Sequence, residues 1–582
     1  MFMARSGFPS LPLFFWVPLW SLYFFSQVNG AAPYLEIPFD TTTTFGYDGP
    51  WHAVPVGIGS NDQIVNLFPG SQWAPTILST SVCDGVSNCV SAAGGLYDYD
   101  SDTSTYPGTI GFTATGTNTV PFGTIFSAEG ENFGQFAELR IGGGFSRVTI
   151  VNASVSRVDS VSLYYGRKKV GMSNGFLTMG AVDDIHVFGD YRAVIPLNNL
   201  AKTGAIASRS WGMHYPSAKL SQVPSLVWGG YDRARIAGPV QRADTDSNGA
   251  KKLDLVGISI DTAVGKSPFS FTRKDNLLVN PLSNSVLKVE LESAIPYLLL
   301  PQETCDTIAD ELPVTLDRTT GFYLWQTSDP LYEKIVSSPA YLSFDFRISA
   351  TQNFTIKVPF ALLDLNMTAP LVTGTQPYFP CMAATLDESG SGAILGRAFY
   401  QAAFISQSYD TRKFWIAQAP GPGYSTADVR TIEKTALTLD SPVSGDDTWL
   451  SSWSSTWTVD PLEVTTEPSV PSETSATPDP SSPRSGLSTG AIAGIAAGIG
   501  AVVIILAAVL FMLWRRKRSR ASLPDAPTPT LIPLSPSKVN YNNEQPPPPQ
   551  QYADMGNAAQ NQHWELPANE QARPQEVHEL HS

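Results

Sequence analysis

Histidine, cysteine and charged residues are scarce in this sequence. The 582 residues include six histidines and four cysteines, and none of them form a cluster with the spacing of metal ligands. Charged residues make up 15% of the chain and the net charge is -15. Binding to nucleic acid needs concentrated Lys and Arg, so this composition argues against a nucleic-acid partner. We therefore predict no metal, no cofactor and no nucleic-acid binding, and an acidic, secreted or surface-exposed body.

Long apolar runs are also few, and two of them determine the predicted topology. Residues 11–25 follow Arg5 and precede small residues, a pattern that predicts a signal peptide over residues 1–31. An N-terminal membrane anchor is the alternative. Residues 490–514 carry no charge and are long enough to cross a bilayer as a helix. Basic residues follow directly, which predicts a single-pass protein of the plasma membrane or secretory pathway with a cytoplasmic tail.

The few cysteines and the sequons fit an oxidising compartment. The simplest pairing gives two disulfides, Cys83–Cys89 and Cys305–Cys381. Three N-x-S/T sequons precede the predicted membrane span and predict N-glycosylation at Asn152, Asn353 and Asn366.

Long helical periodicity is scarce as well. From residue 33 to about 425, short runs of β-branched and aromatic residues alternate with Gly, Asn, Ser and Pro turns, which predicts an all-β body. A short helix is expected in "QETCDTIADEL", directly after Pro301. Residues 441–489 are rich in Ser, Thr and Pro and predict an unfolded, O-glycosylated stalk. The tail, residues 515–582, is predicted to be disordered with polyproline character. It either docks an SH3 or WW domain or is simply solvated.

Within the body, an ordered set of motifs resembles the pepsin family of aspartic proteases. These motifs are "VPVGIGSNDQIVNLFPGSQWAP", "CDGVSNC", "GFLTMG", "LVWGGYDRARIAGPV", "VELESAIPYLLLPQETCDTIA" and "AILGRAFYQAAFISQSYDTRKFWIAQA". The resemblance implies an all-β, bilobal pepsin-like fold with two β-barrel-like lobes, residues 33–240 and 241–425. It also implies a central cleft that holds an extended peptide.

The same resemblance implies a degenerate catalytic site. In the family, two aspartates share a proton and activate a water, because two close carboxylates cannot both ionise easily. Here Phe68 takes the first aspartate position and Glu292 the second. The neighbouring turn residues are Pro69, Gly70, Ser71, Ser293, Ala294 and Ile295. We expect the ring of Phe68 to face the cleft and no second carboxylate to lie beside Glu292.

Three functions compete at this point. The sequence favours a membrane-anchored pseudoprotease that binds a peptide or protein in its cleft at the cell surface. One alternative is an active aspartic endopeptidase that uses Glu292 with an unrecognised partner; Asp261 in "SIDTAVG" is the nearest mimic of a catalytic motif. The other is an interaction or inhibitor module that uses surface loops. Ser71 has no His or Asp partner that the sequence identifies, so a serine hydrolase is not predicted.

Overall fold

The computed structural model describes most of the body of the chain. The described residues are 34–72, 74–102, 127–143, 147–181, 185–188, 191–282, 286–424, 426–440 and 447–461. They belong to one compact unit, Met1–Glu467. The predicted signal peptide, transmembrane helix and cytoplasmic tail lie outside the described residues. Within the described ranges, no helix is both long and apolar enough to cross a membrane.

Strands dominate the described residues, which confirms the all-β prediction. The strands before residue 250 are β1 (Leu35–Glu36), β2 (Asp40–Phe45), β3 (Trp51–Ile58), β4 (Gln63–Gly70), β5 (Thr76–Leu78), β6 (Ser127–Ile141), β7 (Val148–Tyr165), β8 (Lys168–Val170), β9 (Phe176–Thr178), β10 (Ile185–Phe188), β11 (Tyr191–Val194), β12 (Ser210–His214), β13 (Ser225–Trp228), β14 (Gly230–Asp232) and β15 (Gln241–Asp244). The later strands are β16 (Lys252–Thr262), β17 (Leu287–Leu291), β18 (Leu298–Leu300), β19 (Val314–Asp317), β20 (Phe322–Trp325), β21 (Ala340–Ser349), β22 (Gln352–Pro359), β23 (Leu365–Met367), β24 (Gln376–Phe379), β25 (Cys381–Ala383), β26 (Ala393–Leu395), β27 (Ala403–Ser408), β28 (Lys413–Gln418) and β29 (Val429–Thr431).

The α-helices of the described residues are short. They are α1 (Pro196–Thr203), α2 (Gln302–Ala309), α3 (Pro330–Ser337), α4 (Arg397–Tyr400) and α5 (Asp447–Trp453). Helix α2 confirms the helix predicted directly after Pro301.

The strands of the described residues form three main sheets. The first contains β2 to β11, the second runs β22-β21-β16-β17-β26-β18-β25, and the third combines both halves of the chain in the order β1-β13-β12-β27-β28-β15. Two smaller sheets are β19-β20-β24-β23 and β14-β29. The inward faces are lined by Val, Ile, Leu, Phe and Trp side chains that are almost fully buried.

Two of these sheets contain the same arrangement of five strands. In the first sheet the order is β3-β4-β9-β5-β7, and the neighbours pair antiparallel, parallel, antiparallel and parallel. The second sheet repeats these orientations in the order β16-β17-β26-β18-β25. Such a duplication is expected of a two-lobed pepsin-like body, whereas the lobe boundary near residue 240 stays a prediction. The turns between β4 and β5 and between β17 and β18 therefore occupy equivalent places.

Both predicted disulfides are present. Cys83–Cys89 closes a small loop, and Cys305–Cys381 ties α2 to β25 across a separation of 76 residues. Of the sequon asparagines, Asn353 is exposed on β22 and Asn366 is half-buried on β23. Asn152 lies on β7. Their glycosylation stays a prediction.

The beginning of the predicted stalk is folded, which corrects the prediction for residues 447–461. Trp449, Trp453 and Trp457 are buried, and the last two rings stack with their centroids 5.0 Å apart. The backbone N–H of Thr458 donates to the carbonyl of Ser337 at 2.8 Å. The prediction relied on the Ser/Thr content of this segment and did not consider its three tryptophans. These are four residues apart, and in a helix this spacing places side chains on the same side. The rest of the stalk lies outside the described residues.

A buried histidine predicts an acid-sensitive fold. His214 on β12 is buried, and its Nε2 lies 2.9 Å from the carbonyl oxygen of Gln401 and donates to it. Burial, together with the charge of Arg235, lowers the pKa of His214 to about 3. In the unfolded chain His214 has its ordinary pKa of 6.5 and binds a proton below that pH, whereas the buried side chain of the folded protein stays neutral. Stability is therefore lost as the pH falls below 6.5. We expect this residue to remove about 2 kcal/mol of unfolding free energy between pH 6.5 and pH 5.

Urea unfolding at the two pH values measures the loss, and His214→Gln is the variant to compare. The variant has no ionisable group at this site, so its stability should fall less over the same interval. Equal losses in the two proteins would show that His214 does not titrate as its burial implies.

Candidate functional site at two equivalent turns

The first turn follows the end of β4 and is held against β9. The backbone N–H of Phe68 donates to the carbonyl of Gly175 at 3.0 Å, and that of Met179 donates to Gly70 at 2.8 Å. Gly70 lies close to the second turn. A Cβ atom there would stand 2.9 Å from the Cβ of Ala294 and 2.2 Å from Oε1 of Gln72. Only glycine fits at this position without displacing its neighbours.

The second turn follows β17 and is held against β26 and the start of α4. The N–H of Glu292 donates to the carbonyl of Leu395 at 3.3 Å. The N–H of Ile295 donates back to Glu292 at 3.2 Å, and the N–H of Arg397 donates to Ile295 at 2.6 Å. Ala294 and Ile295 are buried, so this turn is fixed by both packing and hydrogen bonds.

The two turns can be matched residue by residue because β9 and β26 end alike. After each of these strands, two consecutive backbone N–H groups donate to carbonyl groups of the turn. Met179 and Gly180 donate to Gly70 and Gln72, whereas Arg397 and Ala398 donate to Ile295 and Pro296. Matching the two donor pairs aligns β9 with β26 and makes Phe176 equivalent to Ile394.

This alignment corrects the sequence-based assignment of Phe68. Phe68 pairs with Phe176, and Glu290 pairs with the equivalent residue of β26. Phe68 therefore corresponds to Glu290, and Gly70, two residues further along, corresponds to Glu292. The assignment from the sequence placed the first aspartate position two residues too early in the chain. The reason is that the register of β4 is set by its parallel pairing with the distant strand β9.

The side chain of Glu292 lies between the two turns. Its Oε1 accepts hydrogen bonds from the N–H of Ala294 at 2.8 Å and from the N–H of Ser71 at 3.2 Å. A second link runs from the hydroxyl of Ser293 to the carbonyl of Pro69 at 2.8 Å. Within the described residues, no carboxylic acid is hydrogen-bonded to Glu292. The turns are thus cross-linked through backbone groups rather than through two acids.

Phe68 is covered by a buried cation that the sequence did not identify. The guanidinium carbon of Arg397 lies 3.9 Å from the centre of the Phe68 ring and 4.9 Å from that of Trp51. Phe68 and Arg397 are 3% and 2% exposed, so the ring of Phe68 is buried. The sequence had predicted a ring that faces the cleft. The Nε and Nη1 atoms of Arg397 are buried without hydrogen-bond partners. Stacking on aromatic rings is one of the contacts that stabilise this charge.

A buried carboxylate, Asp48, lines a small cavity together with Phe68 and Arg397. The cavity has a volume of about 20 Å³. Asp48 accepts hydrogen bonds from Nε1 of Trp51 at 3.0 Å and from the hydroxyl of Tyr297. Burial and the charge of Asp48 raise the pKa of Tyr297 well above its ordinary value, so this phenol remains a donor. No sequence motif pointed to Asp48.

Ser71 has a basic partner that the sequence also missed. Lys251 is buried directly before β16, and its carbonyl accepts from the N–H of Leu291 at 2.9 Å. This places Lys251 beside the second turn, where its Nζ donates to Oγ of Ser71 at 2.6 Å. Burial lowers the pKa of Lys251, and the charge of Glu292 opposes that effect. In the sequence, nothing distinguishes Lys251 from the other polar residues of the turn "SNGAKK".

Asp261, the weaker sequence candidate, lies elsewhere. It belongs to β16 and forms an ion pair with Arg273 at 3.0 Å. Among the described residues, no group of three or more His, Cys, Asp or Glu side chains is placed to hold a metal ion.

Comparison with known proteins gives a distant relative. No family model matches the chain. The chain is 24% identical over 339 residues to the aspartic proteinase sxa1 of Schizosaccharomyces pombe, and the match covers 57% of each protein. The chain therefore spans just over half the length of that relative. This likeness and the duplicated strand arrangement agree with the resemblance to the pepsin family that the sequence motifs carry.

Proposed function

We propose that this chain is a pepsin-like pseudoprotease that binds an extended peptide or protein segment without cleaving it by aspartic-protease chemistry. The observation that carries the proposal is the pairing of the two equivalent turns. Glu292 supplies a carboxylate at one turn, and the equivalent residue at the other turn, Gly70, has no side chain.

The chemistry of an aspartic peptidase requires two acids at this place. One carboxylate takes a proton from water while the other donates a proton to the peptide carbonyl. Glu292 can do only one of these at a time. The space that a second acid would occupy is closed by Ala294 and Gln72. The cross-links between the turns do not depend on a second acid, so the floor of the predicted cleft can keep its shape for binding.

An active aspartic endopeptidase is the second candidate, since the similar Schizosaccharomyces pombe protein is an aspartic proteinase. Incubation of the purified full chain with unfolded casein between pH 2 and pH 7 distinguishes the two functions. We expect no hydrolysis that pepstatin inhibits, and the same result with Glu292→Gln. Hydrolysis that is abolished both by pepstatin and by Glu292→Gln would establish the peptidase instead.

Binding at the turns is tested with peptides selected from a random display library on the full chain. Gln72→Trp places a large ring at the first turn. It should weaken the binding of selected peptides at least about tenfold, the loss of roughly one well-packed contact. Asp84→Trp, on the exposed loop closed by Cys83–Cys89, is the matched control and should bind normally. Weakened binding only in the control would favour the alternative of an interaction or inhibitor module that uses surface loops.

The topology of the protein is part of the same proposal. The apolar run of residues 490–514 and the basic residues behind it support a single-pass anchor, with the pepsin-like body outside the cytoplasm. The two disulfides of the body fit an oxidising compartment. The proline-rich cytoplasmic tail then supplies ligands for SH3 or WW domains.

A further inference from the structure

We propose that Ser71 and Lys251 form a nucleophile–base pair that accepts an acyl group from an ester. This activity goes beyond the proposed peptide binding and uses different side chains from aspartic-protease chemistry. The geometric basis is the 2.6 Å contact between Nζ of Lys251 and Oγ of Ser71. A serine hydroxyl becomes a nucleophile when a base lies within hydrogen-bond reach, and lysine serves as that base in some hydrolases.

The surroundings of Lys251 suit a base rather than a permanent cation. The residue is 1% exposed, and within the described part of the chain no carboxylate oxygen lies within 4 Å of its Nζ. The ring of Trp211 also lies close, with its centroid 5.4 Å from Nζ. The adjacent Lys252 is different: its Nζ is partly exposed and forms an ion pair with Asp246 at 2.9 Å.

The charges that face Lys251 act in both directions. Burial lowers the pKa of the Lys251 amine and is the largest effect. Glu292 and Glu290 on the second turn and β17, and Asp246 before β16, raise it in part. The net direction is downward, so a larger share of Lys251 is neutral near pH 8 than for an exposed lysine. The neutral amine can accept the proton of the Ser71 hydroxyl.

Ser71 is placed so that a substrate can reach it. It is half-buried, in contrast to Lys251, and belongs to the turn that Glu292 holds through the backbone N–H of Ser71. The hydroxyl is therefore fixed from two sides, by its own backbone and by the lysine. Fixed geometry of this kind reduces the entropy cost of the attack.

The reaction follows from these positions. Oγ of Ser71 attacks the carbonyl carbon of an ester while Nζ of Lys251 takes the hydroxyl proton. The carbon–oxygen bond to the leaving group breaks, and Nζ returns the proton to the departing alkoxide. The acyl group is then an ester of Ser71. Water, activated by the same amine, hydrolyses this ester, releases the carboxylic acid and restores the hydroxyl.

The test uses p-nitrophenyl acetate with the purified full chain between pH 6 and pH 10. We expect a burst of one p-nitrophenolate per chain and an acetyl group on the peptide that contains Ser71. The burst rate should rise with pH, with a midpoint below the ordinary lysine value of 10.5. Ser71→Ala should abolish the acetylated peptide, and Lys251→Met should slow its formation on the order of a hundredfold to ten-thousandfold. Lys252→Met is the control and should react normally.

Two results would overturn the proposal: the absence of an acetylated Ser71 in the unsubstituted protein, or normal acetylation in a folded Lys251→Met protein. Lys251→Arg serves as a second variant, since arginine keeps a hydrogen-bond donor but cannot accept the proton. Thermal unfolding verifies that each variant is folded. The casein and peptide-binding experiments do not depend on Ser71 acylation, so a failure here leaves the proposed function standing.

Discussion

Replacement of Asp48 by alanine is expected to lower the free energy of unfolding by about 3–5 kcal/mol, the usual cost of removing one partner from a buried charged network. Asp48 is 5% exposed. Its removal would take the acceptor from Nε1 of Trp51 and would leave the hydroxyl of Tyr297 with the longer contact to the hydroxyl of Tyr165 at 3.4 Å. It would also remove the opposite charge from the cavity that Arg397 lines. Each orphaned buried donor costs about 1–3 kcal/mol by itself.

Urea unfolding followed by far-ultraviolet circular dichroism measures this loss. Asp275→Ala is the matched control, because Asp275 is exposed and its ion pair with Arg273 lies in solvent. The control should lose at most about 1 kcal/mol. Asp48→Asn keeps an acceptor for one donor and should fall between the two. Equal losses for Asp48→Ala and Asp275→Ala would mean that the carboxylate does not hold this cluster together.

Features that depend on local patterns could be predicted from the sequence. Short runs of β-branched and aromatic residues gave the strands, and Pro301 followed by a helical pattern gave α2. The simplest pairing of four cysteines gave both disulfides. In each case the residues that decide the structure are close in the chain, or so few that one pairing is the simplest.

The composition of the site depended on contacts between distant segments. Asp48, Lys251 and Arg397 come from three separate parts of the chain, and the folded structure brings them to the two turns or to the cavity beside Phe68. Phe68 was misassigned for the same reason, since its register depends on β9. One signal was available: Arg397 is a lone charge inside the apolar run "AILGRAFY". A buried charge at such a position usually belongs to a site or a network.

These residues form two separate groups, one at the turns and one around the small cavity. Glu292 and Ser71 face each other across the turns, and Lys251 supports Ser71. Asp48, Arg397 and Phe68 line the small cavity. The hydrogen bond from Ser293 to Pro69 joins the turns without involving either group. Variants at Lys251 should therefore alter acylation while leaving the Asp48 cluster and its contribution to stability intact.

Replacement of Trp453 by alanine is expected to cost about 3–5 kcal/mol of unfolding free energy, as large-to-small changes at buried tryptophans do. Trp453 is 1% exposed, stacks on Trp457 and lies against Gly421, where a Cβ atom would be 2.7 Å from the indole ring. The helix that carries Trp453 is also hydrogen-bonded to the body, because the N–H of Gly421 donates to Oγ of Ser452 at 2.7 Å.

The control for Trp453→Ala is Leu450→Ala on the same helix, since Leu450 is 36% exposed and should cost under about 1 kcal/mol. Urea unfolding gives the two losses. Limited proteolysis adds a second measurement, because a released helix α5 should be cut well before the rest of the body. Residues 447–461 would be a stalk after all if Trp453→Ala were as stable as the unsubstituted protein and if proteases cut both proteins there at the same rate. The expected result instead makes residues 447–461 part of the folded body, and a secreted form of the body needs this segment to keep its full stability.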